Sequence, residues 1–343
     1  MTAVAPALFV VALGASCTGW AQTVKITPLG SHAGEYCATD RAMLFEDPTG
    51  VRILYDVGAS VAGASDARLG EVHAVLLSHA HADHLGANKL AGPNAGTCAK
   101  VGTVSAAPNS NTAEIAAAKN AAVITGNDMA AFLGRKIQAI RGSETPACPE
   151  TGLMRVTTVP VSAPCIGGLQ LGGTRTLAAS GQSRGVEVTV VYAAHSNSVP
   201  RTLLLDPERT NLDANSLNGY VGHANGYVLK FTNGLSVYLS GDTALFSEMK
   251  TVMHDFYHVK LAVFNLGANA MPSAEAAYAI NRLIRPAAVI PEHSTEEATS
   301  GGKLRAGSRT EDFVKLVKGR RVLLPLSGKT MVFDGKANCR AGC

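Results

Sequence analysis

An apolar strand that runs into a cluster of metal-ligand side chains constrains this chain more than any other feature. Val72 to Leu77 is nearly all apolar, the pattern of a strand buried on both faces, and it leads directly into Ser78-His79-Ala80-His81-Ala82-Asp83-His84. Polar groups in an apolar neighbourhood need partners. Four such groups separated only by alanine are satisfied together by metal ions. In a tight turn after a strand, His79 and His81 point one way, while Asp83 and His84 reach a second point nearby. A solvated polar turn is the competing reading, and the density of ligand types in so short a stretch argues against it.

The rest of the chain repeats the pattern of strand end followed by ligand. Strands are predicted at Val24-Lys25-Ile26, Ala42 to Glu46 and Arg52 to Asp56, the last after the turn Asp47-Pro48-Thr49-Gly50. Val186 to Tyr192 leads to His195. Tyr227 to Phe231 and Leu235 to Leu239 flank Asn233-Gly234, a hairpin signal, and the second of them delivers Asp242. Glu275 to Arg285 is predicted as a helix with Ser273 as its N-cap and Pro286 as its stop. A buried strand from Ala287 to Ile290 then ends at Pro291-Glu292-His293. Between His84 and His195, the stretch from Asn111 to Arg141 is alanine-rich and predicts two helices, capped by Asn111 or Thr112 and by Asn127 or Asp128. This region, about 98–180, is read as an insertion packed beside the main body.

The hexapeptide resembles the H-x-H-x-D-H signature of the metallo-β-lactamase-fold hydrolases, and His195, Asp242 in Ser240-Gly241-Asp242-Thr243 and His293 follow in the order of that family. The resemblance covers about Val24 to Phe333 and, through the segment ending in Pro-Glu-His-Ser, looks closest to the ascorbate-phosphate lactonase-like branch. It implies an α/β fold, a four-layer αββα sandwich over residues 22–343. It also implies that His79, His81 and His195 hold one divalent ion, that Asp83, His84 and His293 hold another, and that Asp242 bridges the two. Imidazole-rich sites completed by carboxylates suit zinc first, then manganese or iron. Two such ions can share a hydroxide that acts as the nucleophile, so no Ser or Cys nucleophile is needed; Ser78 and Ser294 are read as turn residues. Asp83 and Asp242 are the catalytic carboxylates of this reading. Asp56 resembles the strand-end carboxylate that orients a ligating His, against the alternative that it only caps the turn before Gly58. His223 and Asn197 are candidate substrate-pocket residues. His32, His73, His254 and His258 lack ligand-like company and read as surface or packed histidines.

The function expected is cleavage of a small ester, lactone, amide or carbamate. A phosphoesterase with the same ligands should add Lys or Arg for the phosphate charge, and no basic pair adjoins the motifs. The β-lactamases of the family generally lack the bridging Asp that is present here, which demotes penicillin hydrolysis. A non-catalytic metal-binding module would be signalled by a missing ligand. Net charge is +4, from 30 Lys+Arg and 26 Asp+Glu, too weak and dispersed for a nucleic-acid surface. The partner expected is therefore a small molecule, and the oligomeric state stays open.

Residues 1–21 carry no charge and include an apolar run, Ala3 to Ala15, too short to span a bilayer. They read as a signal peptide cleaved after Ala21, although no Lys or Arg stands near Met1; a buried first strand and a lipoprotein modified at Cys17 are the alternatives. Beyond them no stretch is long enough for stable membrane insertion. Removing the leader leaves Cys37, Cys98, Cys148, Cys165, Cys339 and Cys343, an even set that suggests disulfides in a periplasmic or secreted protein. Cys148 with Cys165 and Cys339 with Cys343 are close enough for local bridges, but the sequence does not choose the pairing.

Overall fold

The computed structural model describes Met1 and residues 22–148, 153–155 and 165–343; the expected leader beyond Met1 lies outside them. Two eight-stranded sheets face each other. The first runs Cys339–Ala341, Met331–Phe333, Val24–Pro28, Met43–Glu46, Arg52–Tyr55, Ala74–Leu76, Ala122–Gly126 and Ile166–Leu169. The second runs Arg321–Val322, Ala288–Glu292, Leu261–Asn265, Ser236–Leu239, Asn225–Lys230, Val186–Tyr192, Thr174–Ala178 and Leu153–Arg155.

Side-chain alternation along the strands explains the layering. Phe45, Ile53, Tyr55, Leu76 and Ile124 turn inward to meet Val188, Val190, Leu229, Val237, Val263 and Ile290 of the opposite sheet. Their neighbours Leu44, Leu54, Val75 and Val123 turn outward onto Ile115, Ala116, Leu133 and Ile137 of the helices Asn111–Lys119 and Asn127–Arg141. On the far side Tyr238, Phe264 and Val289 pack against Met249, Met253, Ile280 and Phe313. The result is helix, sheet, sheet, helix, and it accounts for strands that are apolar on both faces. Within it, Arg52–Tyr55, Ala74–Leu76 and Ala122–Gly126 are parallel, as are Ser236–Leu239, Leu261–Asn265 and Ala288–Glu292. Their carboxyl ends lie at one edge of the sandwich, where open α/β sheets form sites.

The stretch read as an insertion does not stand apart. It supplies Ala122–Gly126 and Ile166–Leu169 to the first sheet and Thr174–Ala178 to the second. The apolar runs in it are short, and their pairing is set by distant strands rather than by local periodicity. The caps also differ from expectation. Ser110 accepts from Ala113 N, because Asn111 spends its amide on Gly58 O and Val61 O and Thr112 its hydroxyl on Leu85 O. Gly126, without a side-chain cap, precedes the second helix. The predicted helix at 275–285 starts as Ser273–Tyr278, widens to a π-helix over Ala279–Ile284 and stops at Arg285 in a left-handed conformation. Ser273 is inside it, donating to Arg309 O. The disulfides pair Cys148 with Cys165, Cys339 with Cys343 and, across a sequence separation of 61, Cys37 with Cys98.

Candidate metal centre

The turn after Ala74–Leu76 is rigid because the first sheet holds it from below. Asp56, buried at the end of the neighbouring strand, accepts from Ser78 N (2.8 Å) through Oδ1 and from Ser78 Oγ (2.6 Å) through Oδ2. His84 Nδ1 lies 2.7 Å from the same Oδ2. Ser78 has one hydroxyl proton, and Asp56 takes it. The hydroxyl oxygen is then the acceptor for His79 Nδ1–H, 2.9 Å away. Both imidazoles thereby engage Nδ1 with these oxygens and turn Nε2 outward, the atom a metal would take. Ala82–Leu85 forms one helical turn that closes on Gly86 at φ +78, where a Cβ would meet Asn111 Cβ at 2.6 Å and Gly58 O at 2.8 Å. That turn sets Asp83 and His84 side by side.

The second sheet brings the remaining candidates. His195 Nε2 is 3.3 Å from His81 Nδ1. Asp242 Oδ1 lies 3.3 Å from His84 Nε2, and its Oδ2 lies 3.2 Å from His293 Nε2 and 3.7 Å from His195 Nε2. His293 Nε2 is also 3.1 Å from Asp83 Oδ2. Gly241, at φ +55, lets the Asp242 loop approach; a Cβ there would meet Asn225 O at 2.7 Å and Ser78 Cβ at 2.9 Å. Tyr55 Oη accepts from Gly241 N, and Asn265 Nδ2 donates to Gly241 O and Thr243 O, which locks that loop.

Three groups of ligand atoms each lie within 4.8 Å of one another: His79, His81 and His195; Asp83, His84 and His293; and His79, His84 and Asp242. The seven sequence candidates therefore meet in one place. Their fit to cations is visible in what they lack. Among the described residues, His79 Nε2, His84 Nε2 and Asp242 Oδ1 are buried without a hydrogen-bond partner. His84 Nε2 and Asp242 Oδ1 are in charge contact yet do not form a hydrogen bond. Buried polar atoms rarely remain unpaired, and nitrogen and carboxylate oxygen converging on a point is a zinc-type donor set.

Electrostatics favour ligands ready to bind. Burial, reinforced by neighbouring His84, holds His79 well below the ordinary imidazole value, and burial likewise depresses His81, His195 and His293. His84 is the exception. Burial lowers it, but Asp242, Asp83 and Asp56 together outweigh burial and raise it well above 6.5. Burial acts to raise Asp83 and Asp242, yet His84 foremost, with His293, holds both far below the usual carboxylate range. The carboxylates are ionised, and the only imidazolium of the set sits between them.

Asn197 and His223 separate. Asn197 is fully buried; its Oδ1 accepts from Ala80 N at 2.7 Å and its Nδ2 donates to Val221 O and His223 O. It braces the motif turn from behind, leaving no amide edge for substrate. His223 is exposed, with its ring 6.1 Å from that of Tyr192. Three contributors have roles that the sequence reading did not give them. Ser78, read as a turn residue, links Asp56 to His79. Arg41 is another: its side chain is only 3% exposed and Nη2 is 3.3 Å from Asp83 Oδ2. No local pattern around Arg41 points to Asp83. Glu292, adjoining His293, is fully buried with neither carboxylate oxygen hydrogen-bonded, and burial, then Asp56, pushes it to about 8. An acid inside an apolar strand was the available signal.

A family model described as the Metallo-beta-lactamase superfamily matches residues 41–98, the segment that carries Asp56 and the hexapeptide. A UPF0173 metal-dependent hydrolase of Koribacter versatilis is 27% identical over 299 residues, which is 86% of this chain and 93% of that protein. One from Polynucleobacter asymbioticus is 30% identical over 152 residues, so the match spans 43% of this chain and about half, 48%, of the relative. Among solved structures, Igni18, a metallo hydrolase from Ignicoccus hospitalis, superposes with a TM-score of 0.53 at 20% identity, covering 91% of this chain and 99% of that one. Motif, sandwich and ligand geometry agree with these likenesses: the chain is similar to the metallo-β-lactamase superfamily over its signature segment and shares its fold with a metallo hydrolase.

Proposed function

We propose that this metal-dependent hydrolase is an exported, dinuclear enzyme that cleaves a carboxyl-type bond, an ester, lactone, amide or carbamate, in a small molecule. The observation that carries the reading is Asp242, whose carboxylate touches His195 of one ligand triplet and His84 and His293 of the other. His79, His81 and His195 would hold one ion, Asp83, His84 and His293 the second, with Asp242 between. When bound, two divalent ions supply Lewis-acid chemistry: they acidify a shared water and polarise the substrate carbonyl. Zinc suits the donors best, with manganese and iron next.

The protein's own groups do the positioning. Asp56 and Ser78 fix the tautomers of His84 and His79. Asp83 and Asp242, held ionised, accept hydrogen bonds from water and orient it rather than store a proton. A phosphoester reading finds less support, because the nearby guanidinia are committed. Arg41 is spent on Asp83, Ala38 O and Asp40 O, and Arg309 on Ser294 O and Thr295 Oγ1. Export is supported by three disulfides, which persist in oxidising compartments.

Metal analysis of purified protein should return close to two ions per chain, and Asp242→Ala and His81→Ala should abolish hydrolysis of nitrophenyl esters while remaining soluble. Metal-free protein that keeps its activity in chelator would sink the reading. Preference for bis-nitrophenyl phosphate over carboxyl esters would promote the phosphoesterase instead.

A further inference from the structure

Val186–Tyr192 and Asn225–Lys230 are antiparallel partners in register from Glu187 with Lys230 to Tyr192 with Asn225. Strands paired to their very ends ordinarily connect through two to five residues. Here residues 193–224 leave the sheet, carry His195, and return. The base of this excursion is bound to the metal centre: Asn197 Oδ1 accepts from Ala80 N, between His79 and His81, and Ser196 Oγ is 3.3 Å from His81 Nε2. Its middle is anchored by Val199 and Leu203, buried against the helical layer, and by Lys136 Nζ donating to Leu203 O.

Its outer part behaves differently. The helix Glu208–Ala214 buries none of its residues, and Leu205, Leu217 and Tyr220 expose more than half of their surface. Tyr192, where the excursion departs, is exposed too, with Phe246 edge-on to its ring at 5.6 Å. Leu245, three residues past Asp242, is also exposed. Single exposed apolar residues are ordinary. These lie on the excursion and the Asp242 loop, which hydrogen bonds join: Ala194 N donates to Thr243 Oγ1, and Ala244 N to Ala194 O. Ser198 and Tyr220 are cross-strand partners and share a face, so Tyr220 stands two residues beyond the Ser196 that meets His81.

We propose that residues 193–224 form a substrate-recognition arm, and that Leu217, Tyr220 and Tyr192 seat an apolar acyl or aryl substituent of the substrate whose scissile carbonyl lies at the metal centre. The inference rests on the hydrolytic reading above and deepens it, from a small carboxyl-type substrate to one with a hydrophobic tail. The occupant follows from continuity with the centre: an apolar surface that begins at a ligand loop is covered by whatever is bound at that ligand.

Binding separates this inference from catalysis. Alkyl hydroxamates chelate metal centres and are not cleaved, so their affinity for the metal-loaded protein reports the arm alone. Wild type should bind more tightly by about twofold per methylene from the two-carbon to the eight-carbon hydroxamate, half the value for complete burial because one wall stays open. That is on the order of fiftyfold across the series. In Leu217→Ala/Tyr220→Ala, substitutions at exposed positions that leave the fold intact, the gradient should fall below tenfold, with metal content and melting temperature showing that the protein is folded and loaded. Tyr220→Ser alone serves as a second variant if the double one melts early. A flat series in wild type, or a full gradient in the variants, overturns the inference. So does a concentration-dependent dimer that dissolves on the same substitutions, because the patch would then belong to a second copy. A clear gradient in a metal-loaded protein that cleaves no ester keeps the arm and refutes the hydrolytic assignment.

Discussion

Asp56→Asn tests how the centre is held together. Asp56 is fully buried and receives three hydrogen bonds, from Ser78 N, Ser78 Oγ and His84 Nδ1. Removing the side chain altogether would strand three buried donors at about 1–3 kcal/mol each, a sum comparable with the whole stability of a domain, about 5–15 kcal/mol. Asparagine is gentler and more pointed. Its carbonyl can still accept from Ser78 N, while its NH2 group faces His84 Nδ1, which then has to become the acceptor. The His84 proton moves to Nε2, the atom aimed at Asp242 and needed as a ligand. Loss of such an orienting partner typically costs 10- to 100-fold in metal affinity, or about 1.4–2.7 kcal/mol. The assay is competition between protein and a chromogenic chelator, with thermal melting of the metal-free form as the folding control. The ion on Asp83, His84 and His293 should weaken by that factor, and the one on His79, His81 and His195 by less, since it feels Asp56 only through Ser78. Unchanged affinity for both ions in a folded variant would refute the dependence of His84 on Asp56.

Three further outcomes follow from the same geometry. Glu292 is raised from 4.5 to about 8, so in the metal-free protein its neutral form is the one the fold accommodates; the stability it allows is complete below about 4.5 and is lost as pH rises through about 8. Glu292→Gln, which does not titrate, should therefore gain over wild type across that window, reaching a few kcal/mol in order of magnitude above pH 8, measured by chelator-treated urea melts; a pH-independent difference would count against it. Because His84 is raised well above 6.5 before metal arrives, metal uptake must release its proton. Affinity should climb with pH through neutrality, and calorimetric heats should vary with the ionisation enthalpy of the buffer; buffer-independent heats would contradict this. Gly241→Ala combines a left-handed φ with close approach to Asn225 O and Ser78 Cβ, and should cost at least about 2 kcal/mol in urea unfolding; a neutral effect would show the Asp242 loop to be compliant.

What could be read from the sequence was local chemistry. The hexapeptide, the strand before it, the Asn233-Gly234 hairpin and the strand ends at His195, Asp242 and His293 are each written in a few consecutive residues, and the superfamily resemblance tied them together. The structure brings the seven proposed ligands to one point. Features set by distant partners were not legible. Arg41 reaches Asp83 across 42 positions, and Cys37 pairs with Cys98 rather than with a near neighbour. Strands such as Ala122–Gly126 are placed in the sheet by pairing with Ala74–Leu76 on one side and Ile166–Leu169 on the other. Caps failed for a related reason: Asn111 and Thr112 have capping chemistry, but tertiary carbonyls claimed it first, leaving Ser110 to start the helix. Asn197 read as a pocket residue because polarity beside a ligand resembles substrate contact, whereas its amide is consumed in bracing the turn.

Each ligand triplet is drawn from both sheets. His79 and His81 follow a strand of the first sheet, and His195 a strand of the second; Asp83 and His84 belong to the first, His293 to the second. An ion held by either triplet would thus be a cross-brace between the halves of the sandwich, and neither sheet could then peel away without giving up its ligands. Metal retention and unfolding would become a single linked equilibrium, in which a hundredfold excess of free ion over its dissociation constant adds about 2.7 kcal/mol of stability. Chelation should therefore loosen the sandwich from its ligand edge, with the inter-sheet core opening last.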